Sequence, residues 1–215
     1  MPENPPDALL FIAPGCPHCP AVLQGLSELI KQTAIGQLTV INVAAHPELA
    51  EQYGVRAAPW LRLGPFTLTG AHSQAELRQW VEWSSSEEGI AHYIEHLLLA
   101  GQYKDAKIFI AENPQRLKSL LAIVASPEKQ IEVRVGVDAL LEAYRNATPL
   151  QELLPQLAEL SRHADHRVRA DACNLLGLSG SAEARLILSA CLNDQHEEVR
   201  EIATESLQLL DAKLV

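Results

Sequence analysis

Cys16-Pro17-His18-Cys19 brings two thiols and an imidazole into four residues, the densest reactive cluster in the 215-residue chain. Thiol–disulfide exchange needs an accessible thiolate and a second thiol close enough to resolve the mixed disulfide. A Cys-x-x-Cys at a helix start supplies both. Cys16 is expected at the N-cap, facing unpaired N–H groups and the positive helix end, which lowers its pKa below the ~8.5 of a free cysteine. Cys19 is expected one turn in, more buried, as the resolving thiol. His18 can add positive charge or a hydrogen bond to the thiolate, which makes the disulfide more oxidising; about 30 mV corresponds to about 1.4 kcal/mol. Two other readings stand beside exchange: an inert remnant of such a site, or half of a metal site. A closed zinc site wants four ligands, and no second Cys-x-x-Cys exists to complete one. No metal is therefore expected, and no cofactor beyond the Cys16–Cys19 disulfide itself.

The elements around the pair alternate between strand and helix. Ala8 to Ala13 is a continuous apolar run, as for a strand buried on both faces. Pro17 to about Ile35 reads as a helix with Pro17 at its first position, where the missing N–H costs nothing. Leu38 to Val43 is a second β-rich run, and Pro47 to Tyr53 a short helix stopped by Gly54. Trp60–Leu63 and Phe66–Thr69 read as strands separated by the Gly64-Pro65 turn. Ser73 with Glu76 forms a capping box for a helix running to about Trp83. The order βαβαββα makes a compact α/β unit over residues 1–86.

The polar stretch Ser84 to Gly89 marks the expected boundary, and beyond it the β signal vanishes. Apolar residues then recur at helical spacing, as in Ile90, Ile94, Leu97 and Leu98. Val133-Arg134, Val168-Arg169 and Val199-Arg200 each open such a stripe. Recurrence at this period marks stacked helix pairs, so residues 87–215 read as a small all-α solenoid. The last stripe, through Val199, Ala203, Leu207 and Leu210, carries a polar lapse at Ser206. The helix between the last two Val-Arg repeats puts Ala184, Leu188, Cys191 and Leu192 on its face.

The first half resembles the thioredoxin/glutaredoxin superfamily on three ordered stretches. These are Phe11-Ile-Ala-Pro-Gly-Cys-Pro-His-Cys19, Tyr53-Gly-Val-Arg-Ala-Ala-Pro-Trp-Leu61, and Leu68 to Leu77. The resemblance implies a thioredoxin-like fold and puts Pro59 in the role of the family's cis-proline, facing the Cys pair. It implies that the backbone of Ala58 offers strand-like hydrogen bonds to a substrate peptide, with Pro17 and Pro59 beside it. Two departures stand out. Gly15 replaces the tryptophan usual before the first cysteine, and Ala8 to Ala13 lacks the buried acid that assists proton removal from the second. The Pro-His dipeptide resembles the more oxidising, disulfide-donor branch. The second half resembles HEAT-like repeats, on Asp165 to Gly177 and Asp194 to Ala203.

The expected function is thus a thiol–disulfide oxidoreductase acting on protein thiols or disulfides. The helical repeats would bind a protein client, and a reductant or oxidant partner would recycle the pair. The alternative is a redox-linked scaffold whose thioredoxin-like half is mainly a docking module. The formal net charge of −10 argues against nucleic acid and anionic membranes as partners. Hydrophobic residues make up 47% of the chain, enough for a real core, yet no stretch approaches the ~20 apolar residues of a membrane helix. The start, Met1 to Asp7, is polar and Pro-rich without a basic region, so a cytoplasmic protein is expected. His92-Tyr-Ile-Glu-His96 matches a zinc-peptidase pattern but reads as polar positions beside an apolar stripe. Cys173 and Cys191 read as buried, inert thiols, with a bridge between them as the alternative. Trp60, Trp80 and Trp83 read as packing residues, with Trp60 also placed to line a substrate groove.

Overall fold

The computed structural model describes residues 5–211. Residues 1–4 of the Pro-rich start, and residues 212–215, lie outside the described residues. The chain divides into two compact units, the first ending at Ile90 and the second beginning at Ala91.

The first unit runs β1 (Ala8–Ile12), α1 (Cys19–Lys31), β2 (Leu38–Asn42), α2 (Pro47–Gln52), β3 (Trp60–Leu63), β4 (Phe66–Thr69) and α3 (Gln74–Trp83). This is the βαβαββα order the sequence implies. The sheet order is β2-β1-β3-β4. β1 runs parallel to β2 and antiparallel to β3, and β3 pairs with β4 in a hairpin. β1 lies inside the sheet, and Ala8, Leu10 and Phe11 are buried. β2 is an edge strand, which leaves Val40 40% exposed. That is why its apolar run does not become a buried one.

α1 buries Val22, Leu26 and Leu29 along one stripe. Each such side chain contributes about 1.5–3 kcal/mol on burial, more than the ~1 kcal/mol of a side-chain cap that His18 does not supply. Gly25 lets α3 approach closely: a Cβ there would stand 2.7 Å from Leu77 Cδ1. α3 begins with the expected capping box, Ser73 accepting the Glu76 amide and Glu76 accepting the Ser73 amide. Its face of Leu77, Trp80 and Val81 is buried.

α1 differs from its sequence expectation at both ends. It begins at Cys19, not Pro17, and the first-turn proline is Pro20. Either proline fits a first turn, because both lack an N–H that would have no partner there. It ends at Lys31 rather than near Ile35. The Thr33 amide bonds Ile30 O and the Ala34 amide bonds Leu29 O, with Thr33 at φ +58°. That is a Schellman ending, in which glycine is the usual left-handed residue and threonine gives no sequence signal.

α4 (Glu87–Leu99) crosses the division between the units. After it come α5 (Tyr103–Glu112), a 3-10 turn (Pro114–Arg116), α6 (Leu117–Val124), α7 (Ile131–Glu142), α8 (Thr148–Gln151) and α9 (Leu154–Leu160). The chain continues through α10 (His166–Ser179), α11 (Ala184–Cys191) and α12 (Glu197–Asp211). The stripes opened by the Val-Arg repeats are buried at Val133, Val168 and Val199 and along the helices behind them. Ile90 and Leu207 are only half-buried, and Leu192, just past the end of α11, is 38% exposed, so these three leave the stripes the sequence assigned them.

Two of the repeated arginines do the same structural task. Arg169 Nη1 donates to His163 O at 2.9 Å, and Arg200 Nη1 donates to Asp194 O at 2.8 Å. Each ties down the turn six residues before it, where backbone carbonyls would otherwise lack partners. Arg134 departs from this and reaches Asp171 on α10. Among the described residues no helix is long and apolar enough to cross a membrane.

Candidate redox site

The strand register places the two halves of the site at one end of the sheet. Phe11 of β1 pairs with Trp60 of β3. Beyond Phe11 the chain leaves β1 into the cysteine loop, and just before Trp60 comes Pro59. Three rings hold this end together. Phe11 packs 5.5 Å from Tyr53 and 5.4 Å from Trp60, and Tyr53 lies 6.1 Å from Trp60. Such pairs contribute about 0.5–1.5 kcal/mol each beyond their burial. Arg62 covers the Tyr53 and Trp60 rings from outside. Trp60 is 5% exposed, so it is a packing residue here.

The loop itself turns at Gly15, whose φ is +73°. An L-side chain there would meet nothing within 4 Å, so conformation and not space calls for glycine. Cys16 and Cys19 are joined in a disulfide, with Cα atoms 5.5 Å apart. Cys16 is half-buried, while Cys19 is 5% exposed on the inner face of α1. The N-cap is His18, not Cys16. The Cys16 sulfur nevertheless does a cap's work, accepting the Cys19 amide at 3.1 Å. The same sulfur stands 3.6 Å from the carbonyl oxygen of Ala58. The Ala58–Pro59 peptide is cis, Ala58 is half-buried and Pro59 buried. Pro17 and His18 are exposed on the rim of the loop.

Of the residues the sequence singles out, Cys16, Cys19 and Ala58 therefore meet directly, with Pro17, His18 and Pro59 adjoining them in the chain. Phe11, Tyr53 and Arg62 support the site, and sequence reasoning did not assign them to it. Their signal was the placement of aromatic residues at strand ends, which becomes meaningful only once the register is known.

The other clusters fall elsewhere. Glu95 of the His92–His96 motif is engaged by Lys129, with Nζ 2.8 Å and 2.9 Å from its two oxygens. His163 accepts the Asp165 amide at 3.1 Å. His166 stacks on His196 with centroids 3.7 Å apart. No group of three or more His, Cys, Asp or Glu that could hold a metal ion occurs among the described residues. Cys173 and Cys191 are buried free thiols.

A parallel β1–β2 pair, an antiparallel β3–β4 hairpin and a close Cys-x-x-Cys pair ahead of α1 define a thioredoxin fold, followed here by a helical array. A family model for the thioredoxin domain matches residues 9–82, and one for HEAT repeats matches residues 117–208. A thioredoxin from Methanocaldococcus jannaschii is 33% identical over 70 residues, covering 32% of this chain and 82% of the relative. The chain belongs to the thioredoxin family through its first unit, and carries HEAT repeats in its second. α4 and α5 precede the repeat match.

Proposed function

We propose that the protein is a thiol–disulfide oxidoreductase working through Cys16 and Cys19. The observation that carries this reading is the asymmetry of the pair. One sulfur is half-buried, faces the Ala58 carbonyl and takes an amide hydrogen bond; the other is buried one turn into α1. In the reduced protein the Cys16 thiolate attacks a substrate disulfide, forming a mixed disulfide and releasing one substrate thiolate. Cys19 then gives its proton to that thiolate and attacks Cys16 Sγ. The second substrate sulfur leaves, and Cys16–Cys19 is left as a disulfide. Two thiols are oxidised and one disulfide is reduced, and the reverse sequence donates a disulfide.

His18, exposed at the N-cap, would tune the potential. Pro17, Ala58 and Pro59 would seat an extended peptide, with the Ala58 backbone as its hydrogen-bonding partner. Residues 1–86 would perform the exchange and residues 87–215 would hold a protein client, since solenoids present extended binding surfaces. No further cofactor enters the scheme. A net charge of −10 favours a protein client over nucleic acid. Two buried free thiols are in keeping with a reducing, cytoplasmic setting.

The test is reduction of insulin by dithiothreitol, with and without the full chain. Acceleration over free dithiol that disappears in Cys16→Ser supports the enzyme. A wild-type chain no better than free dithiol overturns it and favours the scaffold, in which the first unit only docks.

A further inference from the structure

Three loops meet at the redox end of the sheet, and their charge is one-sided. The Cys16 sulfur stands against Ala58 O, which brings the cysteine loop, residues 13–18, to the loop 54–59. The Gly70 amide donates to Pro59 O at 3.0 Å, which ties that loop to residues 70–73. The three loops contain no Asp or Glu, although the chain has 27 such residues. Arg56 is their only permanent charge, since His18 and His72 titrate and burial lowers the pKa of His72. Arg56 is exposed, and among the described residues it has no hydrogen-bond or ion-pair partner. Other arginines are engaged: Arg145 with Glu142, Arg167 with Asp165, Arg169 with Asp194 and Arg185 with Asp211. Glu51, in the last turn of α2, forms no ion pair with Arg56. The backbone on either side of Arg56 is fixed, by the Val55 amide on Ala50 O at 2.8 Å and by the bond between Gly70 and Pro59. A guanidinium without an acceptor therefore stands two residues from the carbonyl that faces Cys16.

We propose that Arg56 makes the redox site selective for peptide disulfides that carry a carboxylate close to the reacting cysteine. This selectivity rests on the exchange proposed for Cys16 and Cys19. A chain spans at most about 3.3–3.6 Å per residue, so Arg56 Cα lies within about 7 Å of Ala58 Cα. A client residue two places from the one seated on Ala58 covers the same span, which brings its side chain within reach of the guanidinium. The planar guanidinium suits a carboxylate, which it can hold through two parallel hydrogen bonds. The chain as a whole, at −10, repels an acidic client. Arg56 reverses that sign locally, so a carboxylate is favoured beside the cysteine and nowhere else on the approach. The covalent step is the one already written for Cys16. Its thiolate attacks the client sulfur, the client S–S bond breaks, and the second client sulfur leaves as a thiolate that takes a proton. Arg56 binds the client and presents its cysteine to Cys16.

The experiment uses the reduced full chain and three short peptides, each with one cysteine activated as a 2-thiopyridyl disulfide. They differ only in the residues two places before and two places after that cysteine, which are Asp, Asn or Lys. Attack by Cys16 releases 2-thiopyridone, whose absorbance gives the second-order rate constant. Each rate is divided by that of dithiothreitol with the same peptide, which removes the peptide's own reactivity. The Asp peptide is expected to exceed the Asn peptide about twofold to fivefold, the size of an exposed ion pair, with the Lys peptide below both. Added salt should shrink the preference. In Arg56→Gln the ratio of Asp to Asn should fall to about one, and Arg56→Lys should recover part of it. Equal normalised rates for Asp and Asn overturn the proposal, as does a preference for Lys or an Asp preference that survives in Arg56→Gln. If no peptide reacts faster with the wild-type chain than with Cys16→Ser, exchange itself fails and the selectivity falls with it.

Discussion

Gly177 on α10 lies directly under Ser206 on α12: a Cβ built on the glycine would stand 2.6 Å from Ser206 Cβ and 2.9 Å from its Cα. The serine is 2% exposed and interrupts an otherwise apolar stripe because only a small side chain fits between the two helices. Gly177→Ala gains about 1 kcal/mol of helix propensity. It also forces backbone apart, since the nearest atoms include a Cα that no rotamer change can move, and overpacking of this kind costs typically 1–3 kcal/mol. The variant should be destabilised in urea unfolding, and adding Ser206→Gly should recover part of the loss. Strict additivity of the two substitutions would contradict the contact.

The same pair shows where sequence reading stops. A polar residue on an apolar stripe signals something, but the glycine that explains it lies 29 positions away on another helix. The first unit was more legible because its signals are local. Gly64-Pro65 turns the β3–β4 hairpin, with Gly64 at φ +54°, and the Ser73/Glu76 box fixes the start of α3 within four residues. The cysteine motif was equally local. Its contact with Ala58, 42 residues on, was open to the sequence only through family resemblance, and its geometry comes from the Phe11–Trp60 register. The ends of α1 were not legible, because two prolines compete at one end and a threonine takes a glycine's role at the other.

Reduced Cys16 should ionise below the ~8.5 of a free thiol, because its sulfur accepts the Cys19 amide at the start of α1. The hydrogen bond favours the charged form, so the shift is downward. Thiolate absorbance near 240 nm, titrated in the reduced chain and compared with Cys16→Ser, reads it directly. Cys19, 5% exposed, should titrate above Cys16. A first thiol pKa well above 8.5 would remove the basis for attack by Cys16 at neutral pH.

Asp194 and Arg169 form a two-bond ion pair, with Arg169 only 6% exposed and Asp194 half-buried. Its hydrogen bonds with Arg169 hold the Asp194 carboxyl below the usual carboxylate range. A lowered folded pKa means stability that is present above the unfolded value of ~3.9 and lost as pH falls through the folded one. Asp194→Asn leaves the guanidinium without its counter-charge, a loss of about 1.5–3 kcal/mol for a part-buried hydrogen bond between charged groups. The lower end is expected, because Arg169 keeps the carbonyls of His163 and Ala164. Urea unfolding at neutral pH should show this loss, and the gap from wild type should narrow at the acid end, where the wild-type carboxyl is itself protonated. A gap that is constant with pH would mean that shape, not charge, holds the turn.

Asp138 on α7 pulls in the opposite direction. Burial, with the charge of Asp171 adding to it, pushes its carboxyl up to about 6, while Arg134 works against both. A folded pKa above the unfolded ~3.9 means that the folded state binds more protons between roughly pH 4 and 6. Stability from this group therefore rises as pH falls through 6 towards 4, and at neutral pH the charged carboxylate is a burden. The shift alone corresponds to about 3 kcal/mol, which partial solvent contact reduces to about 1–2 kcal/mol. Asp138→Asn keeps the shape and removes the charge, so it should be more stable than wild type at pH 7 by about that amount, with no advantage at pH 4. The urea midpoints of both chains at the two pH values decide it. A variant weaker than wild type at pH 7 would show that attraction to Arg134 outweighs the desolvation of Asp138.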